Sequence, residues 1–341
     1  PFVPASASRT ERLVPKMTAL PATGSSSAFS HQDRPGEPIR RLLPPETYEP
    51  SAVASRREAL YKCASRMRDP AYTLEMFLDD LIQCLPELTL YVTSGAPSTA
   101  HEQPVEIQRI KSSSGRTAVD EYLRTIGAFS TLYWLSRLDV ATDSNSTGLD
   151  GQRGFCFGVD EATGSPPSAK ELSTLTVDDS WYDANITSRL NFYQGSHWAD
   201  MHLLLISAGL LESDGNNGAT RINTARMSAM LALTAIHDIM KLEHLCPTVA
   251  RSHAPFHGVN AGETIHDHDA ALAYLLTHDI EALPCVASLP VADQLSIRFT
   301  QADLNFNHGW FVQAEAPPGA IFASMKALLN DGGLKGTEVA F

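Results

Sequence analysis

Ten of the 12 histidines lie beyond residue 196, and most of them stand beside aspartates: His197 with Asp200, His237-Asp238, His266-Asp267-His268-Asp269 and His278-Asp279. Imidazole and carboxylate together are the usual ligand set for zinc, iron, manganese or nickel. His237-Asp238 follows Met227–Ile236, which is apolar on nearly every helical face and must therefore be buried all round. A carboxylate at that point is costly unless a metal, a cation or several hydrogen bonds compensate it. Lys241, one turn on, suits either role: electrostatic partner of this pair or ligand of a substrate phosphate. His202 sits in a second apolar stretch, Met201–Leu211, and needs a buried partner of its own.

Each of these residues also has a purely structural reading. His237 near a helix C-terminus sits well at the negative end of the dipole. His202 can be a core histidine bonded to a carbonyl. In the 266–269 cluster, Asp267 or Asp269 can cap the helix that follows, and only one or two of the four residues can share a face. His278 is expected at the surface.

The elements that position these residues are helices. Three- and four-residue apolar spacing predicts helices over 55–67 and 71–84, and a third over 118–138 whose stripe is Tyr122, Ile126, Phe129, Leu132 and Leu135. Further helices are expected at 197–211, at 224–245 ended by Pro247, at 268–283 closed by Pro284, at 290–306 and at 319–330. The fold class is mostly α. Residues 1–50 hold nine of the 21 prolines and a Ser/Ala-rich run, and they read as an extended arm or linker that orders along a partner surface. Residues 51–150 read as a helical N-terminal region and 151–341 as a helical domain holding the histidines, with one all-α domain as the alternative.

The run Ala235-Ile236-His237-Asp238-Ile239-Met240-Lys241, about 35 residues after a buried His202, resembles the HD superfamily of metal-dependent phosphohydrolases over residues about 190–310. The resemblance implies an all-α, HD-like domain in which His202, His237 and Asp238 hold a divalent transition metal (zinc, manganese or iron). Asp303, Asp293 or His268 would complete the set, His266 could join a second metal, and Lys241 would be catalytic toward a small phosphorylated substrate. Met240 stands where the family usually has glycine. Some HD-fold proteins hold two irons and use oxygen, and the surplus histidines suit that chemistry as well. The third expectation is a non-catalytic helical subunit of a larger assembly, partnered through residues 1–50.

Composition limits the remaining choices. A net charge of −13 opposes broad nucleic-acid binding. No stretch is long and apolar enough for a transmembrane helix. The five scattered cysteines (Cys63, Cys84, Cys156, Cys246, Cys285) form no CxxC and read as thiols of an intracellular, reducing compartment. A chain starting at Pro1 reads as a processed product or a fragment, and its Ser- and Arg-rich beginning is compatible with import into an organelle. There is no Walker loop, GxGxxG, GxSxG or HExxH.

Overall fold

Local capping decides where several helices begin. In the computed structural model, which describes residues 34–93, 115–140, 196–213 and 220–303, Thr73 accepts a hydrogen bond from the Met76 amide and starts one helix. Thr117 and Asp120 form a reciprocal capping box at another. Asn223 and Asp267 cap two more through the amides of Arg226 and Ala270.

Ten α-helices result among the described residues: α1 (Glu37–Arg40), α2 (Pro50–Arg66), α3 (Leu74–Cys84), α4 (Leu88–Thr93), α5 (Ala118–Leu135), α6 (Trp198–Ser207), α7 (Thr224–Ile236), α8 (His268–His278), α9 (Pro284–Ala287) and α10 (Val291–Arg298). A short antiparallel hairpin, β1 (Leu211–Ser213) with β2 (Thr220–Ile222), pairs Leu211 with Ile222 between α6 and α7. The fold is mostly α, as expected.

Helix α7 lies in the middle, with α2, α5, α9 and α10 against it. Its residues Met227–Ala229, Leu231–Leu233, Ala235 and Ile236 are buried, so the all-round apolar pattern has its expected consequence. Helices on both sides of residue 150 contribute to one continuous hydrophobic core running from Ile39 to Ile297. The cysteines at 63, 84, 246 and 285 are buried free thiols. No helix of the described residues is long and apolar enough to cross a membrane.

Several expected boundaries move. The extended arm expected over 1–50 is folded in its last third, where α1 and a 3-10 turn (Pro45–Tyr48) bury Ile39 and Leu43 in the core. Residues 1–33 lie outside the described residues, as does the expected helix at 319–330. The helix expected over 224–245 stops at Ile236, and two 3-10 turns (Ile239–Lys241, Glu243–Leu245) follow. An α-helix would spread Ile239, Met240, Leu242 and Leu245 over more than half its circumference, whereas the broken path buries all four. Pro284 opens α9 at its first turn rather than closing the preceding helix, because a proline there forfeits only an amide that has no helical partner. Helix α5 ends three residues early and buries Ala118, Glu121, Thr125, Phe129 and Tyr133, while Tyr122, Ile126, Leu132 and Leu135 are half-buried beside them. Helix α6 is one-sided: Trp198, His202 and Leu205 face inward, and Leu203 and Leu204 are 59% and 54% exposed.

Candidate functional site

His237 takes helical dihedrals and its amide still donates to Leu233 O at 2.9 Å, so its ring leaves from the last turn of α7. The next residue breaks the helix: Asp238 has φ −101° and ψ 3°. That break aims the Asp238 carboxylate back at its neighbour. His237 Nδ1 lies 3.0 Å from Asp238 Oδ1, and Lys241 Nζ reaches the same oxygen at 2.7 Å. The Asp238 and Lys241 side chains are 16% and 13% exposed, whereas the His237 ring is 52% exposed. A buried ion pair thus holds one edge of an accessible imidazole.

The electrostatics follow from this geometry. Burial alone would raise the Asp238 carboxyl, but the His237 hydrogen bond and the Lys241 ammonium outweigh it and hold the group well below its ordinary value. The Asp238 hydrogen bond raises His237 above its ordinary value against a smaller opposing effect of burial, and Asp269 adds to the rise. With Nδ1 committed to the carboxylate, Nε2 is the nitrogen left for a ligand.

A cavity of about 290 Å³ opens beside the pair, with α5 as its far wall. Arg124, Thr125 and Ala128 line that wall, and Leu233, Thr234, His237 and Asp238 line the near one. Arg124 Nε stands 3.6 Å from the fully buried Glu121 carboxylate. Thr125 Oγ1 donates to Glu121 O at 3.0 Å and lies 3.4 Å from the Tyr91 hydroxyl. Apolar spacing along α5 does not point to these residues. The available signal is the four-residue spacing Glu121-Thr125-Phe129-Tyr133, which places two polar residues on the buried face.

The remaining candidates go elsewhere. His202 Nε2 lies 3.3 Å from Asp139 Oδ1, outside hydrogen-bond alignment, in a cluster where Arg68 grips both Asp139 oxygens and Thr220 donates to the same carboxylate. His268 Nε2 faces Asp269 Oδ1 at 3.5 Å. The Asp267 carboxylate caps α8. Asp293 stands in the first turn of α10, its carboxyl raised by burial and eased down by Arg226. Asp303 ends a π-helical turn (Phe299–Asp303), and its side chain lies outside the described residues. His278 is exposed, as expected, and stacks on His253 with ring centroids 3.8 Å apart.

A transition metal needs three or four donors aimed at one point about 2.0–2.3 Å from each. No group of three or more His, Cys, Asp or Glu among the described residues has that arrangement. The structure therefore brings together His237, Asp238 and Lys241 but does not add His202 or His268 to them as a ligand set. Among the described residues the ligand set that the HD resemblance implies is not assembled, and the Asp303 side chain lies outside them. No family model matches the chain, and neither a curated protein nor a solved structure shows significant similarity to it.

Proposed function

We propose that the chain hydrolyses a small phosphate ester, with His237 as the group that handles the proton. The observation that carries this reading is the Lys241–Asp238–His237 chain of contacts, at 2.7 and 3.0 Å, ending in an accessible imidazole at a cavity. The resemblance supplies the phosphate-ester class, and the geometry supplies the acid–base group. Asp238 fixes the ring and stabilises its charged form, so His237 stays protonated further into the neutral range than a free imidazole. The Nε2 proton passes to the leaving-group oxygen as the P–O bond breaks. A water oxygen forms the new bond to phosphorus, and its released proton returns through solvent to His237. Arg124, at the cavity wall, offsets charge on the phosphoryl oxygens. Lys241 acts here through Asp238 as a positioning residue. No step runs through a metal.

The test is phosphate release from a panel of phosphate monoesters and nucleotides, with and without a strong chelator. His237→Ala is expected to lose about 100-fold or more in kcat, and the wild type is expected to keep its rate in chelator. A fully active His237→Ala protein, or complete loss of activity in chelator, would sink the assignment.

A non-catalytic role within an assembly is the second reading, favoured by the exposed Leu203 and Leu204 on α6. It predicts no turnover of any ester by the pure chain and co-purification with a partner. A partner-binding arm in this reading is confined to residues before α1, since α1 itself packs into the core. The buried free thiols support placing the chain inside a reducing compartment.

A further inference from the structure

We infer that a second cavity, sharing no residue with the His237 site, binds a small polyanion carrying phosphoryl groups. This cavity measures about 780 Å³ and lies between the α1 segment and the loop formed by residues 248–262. Three arginines line it, Arg34 and Arg41 from one wall and Arg251 from the other. The opposing charge is Glu37, whose carboxylate meets Arg41 Nε at 3.1 Å. Three arginines against one carboxylate at one concave place are a local surplus of basic residues on a chain of net charge −13, and such a surplus draws an anion.

Both walls are fixed before any ligand arrives. On the α1 side, the Gly36 amide donates to Asp279 Oδ2 at 2.8 Å, and Arg40 binds both oxygens of the same carboxylate. That anchor turns Arg40 inward and leaves the next residue, Arg41, for the cavity. On the loop side, the Val249 amide donates to Glu263 O at 2.9 Å and the Gly262 amide to Val249 O at 2.8 Å. The Ala250 amide donates to the Tyr274 hydroxyl at 2.8 Å, which ties the residue before Arg251 to α8. Gly262 has φ +83°, a conformation that glycine adopts without strain and that closes this loop. Arginine forks held on rigid walls recognise phosphoryl oxygens in pairs, and the volume matches a nucleotide-sized ligand. The inference is independent of the His237 chemistry.

The experiment uses the full chain and phenylglyoxal, which modifies accessible arginines, with the extent at each residue read by peptide mass spectrometry. Pyrophosphate and adenosine diphosphate, each up to about 10 mM, are compared with citrate as a carboxylate polyanion and with adenosine as the uncharged nucleoside. Pyrophosphate or the diphosphate is expected to slow modification of Arg41 and Arg251 at least about fivefold, with citrate and adenosine much weaker. A direct titration of the same anions into an Arg41→Ala, Arg251→Ala variant is expected to show affinity reduced about tenfold or more. Both side chains are exposed, and an unchanged thermal melt would confirm that the variant folds. Equal protection by citrate, no protection by either phosphate compound, or unchanged affinity in a folded variant would each overturn the inference.

Discussion

Asp238 receives two cationic partners on a single oxygen, and its helix-breaking backbone is what makes that possible. Replacing it by asparagine removes the charge and keeps the shape. His237 then loses the interaction that raises it, so its titration, followed by the ring C–H resonances in NMR, is expected to move down toward the ordinary value of about 6.5. If the proposed chemistry holds, the alkaline limb of the pH–rate profile moves down with it. The same pair bears on stability. His237 is raised on folding, so its contribution is complete below about pH 6.5 and is lost as pH rises through the folded value. Asp238 is lowered, so its contribution is present above about pH 3.9 and is lost as pH falls through the folded value. Asp238→Ala leaves the buried Lys241 ammonium without its carboxylate and is expected to cost about 3 kcal/mol in urea unfolding at pH 7. An unmoved His237 titration in Asp238→Asn would show that the contact does not govern the ring. Within this trio the Asp238–Lys241 contact was legible in the sequence, because a three-residue spacing meets in any helical turn. The His237–Asp238 contact depends on the break at Asp238, since adjacent residues of a helix do not face each other. The place of His202 was not legible either: its partner Asp139 lies in a distant part of the chain, and no local pattern encodes that meeting.

At the scale of elements, α1 depends on one glycine. A Cβ on Gly36 would stand 2.0 Å from Ala282 Cβ and 2.9 Å from Asp279 Oδ2, and both neighbours are held in the core. Gly36→Ala must therefore push α1 away from the 3-10 turn Ile280–Ala282 and loosen the bonds that Gly36 and Arg40 make to Asp279. The expected cost is about 2–3 kcal/mol in chemical denaturation, and earlier proteolysis within residues 34–43 should accompany it. A variant as stable and as resistant as the wild type would mean that this segment is not anchored as described. Composition hid α1: nine prolines averaged over 50 residues masked Ile39 and Leu43, which sit four apart and reach the core. Helix existence was easier to read than helix ends, because ends depend on what must be buried. The stretch from Ile239 to Leu245 is as apolar as a helix, yet it takes 3-10 turns to send its apolar residues inward. In α5 the buried face carries Glu121 and Thr125 beside its apolar residues, which apolar spacing alone does not reveal.

Across the whole molecule, the halves of the chain are joined by polar contacts as well as by the shared core, and Glu87 is the most exposed to change in its chemistry. Its carboxylate is fully buried and accepts a hydrogen bond from the Cys285 amide, 198 residues away, at 2.7 Å. Oε2 has no hydrogen-bond partner among the described residues. Burial raises this carboxyl, and the Cys285 amide and the more remote Arg56 offset only part of the rise. A carboxyl raised on folding favours the folded state below its unfolded value of about 4.3, and that advantage is lost as pH rises through the folded value. Above that window the chain holds either a buried negative charge or a proton taken up at a cost. Glu87→Gln keeps an oxygen for the Cys285 amide and cannot ionise. The variant is therefore expected to match the wild type near pH 4.5 and to exceed it by about 2 kcal/mol near pH 8, read from thermal melts across that range. The gain should grow with pH and then level off once wild-type Glu87 has titrated. A gain independent of pH would assign the effect to packing, and a loss at every pH would mean that the carboxylate has a cation that compensates it. The pH-dependent outcome would make Glu87 the group through which the contact between α9 and the N-terminal helices responds to pH, since it stands at the start of α4 and binds the first turn of α9.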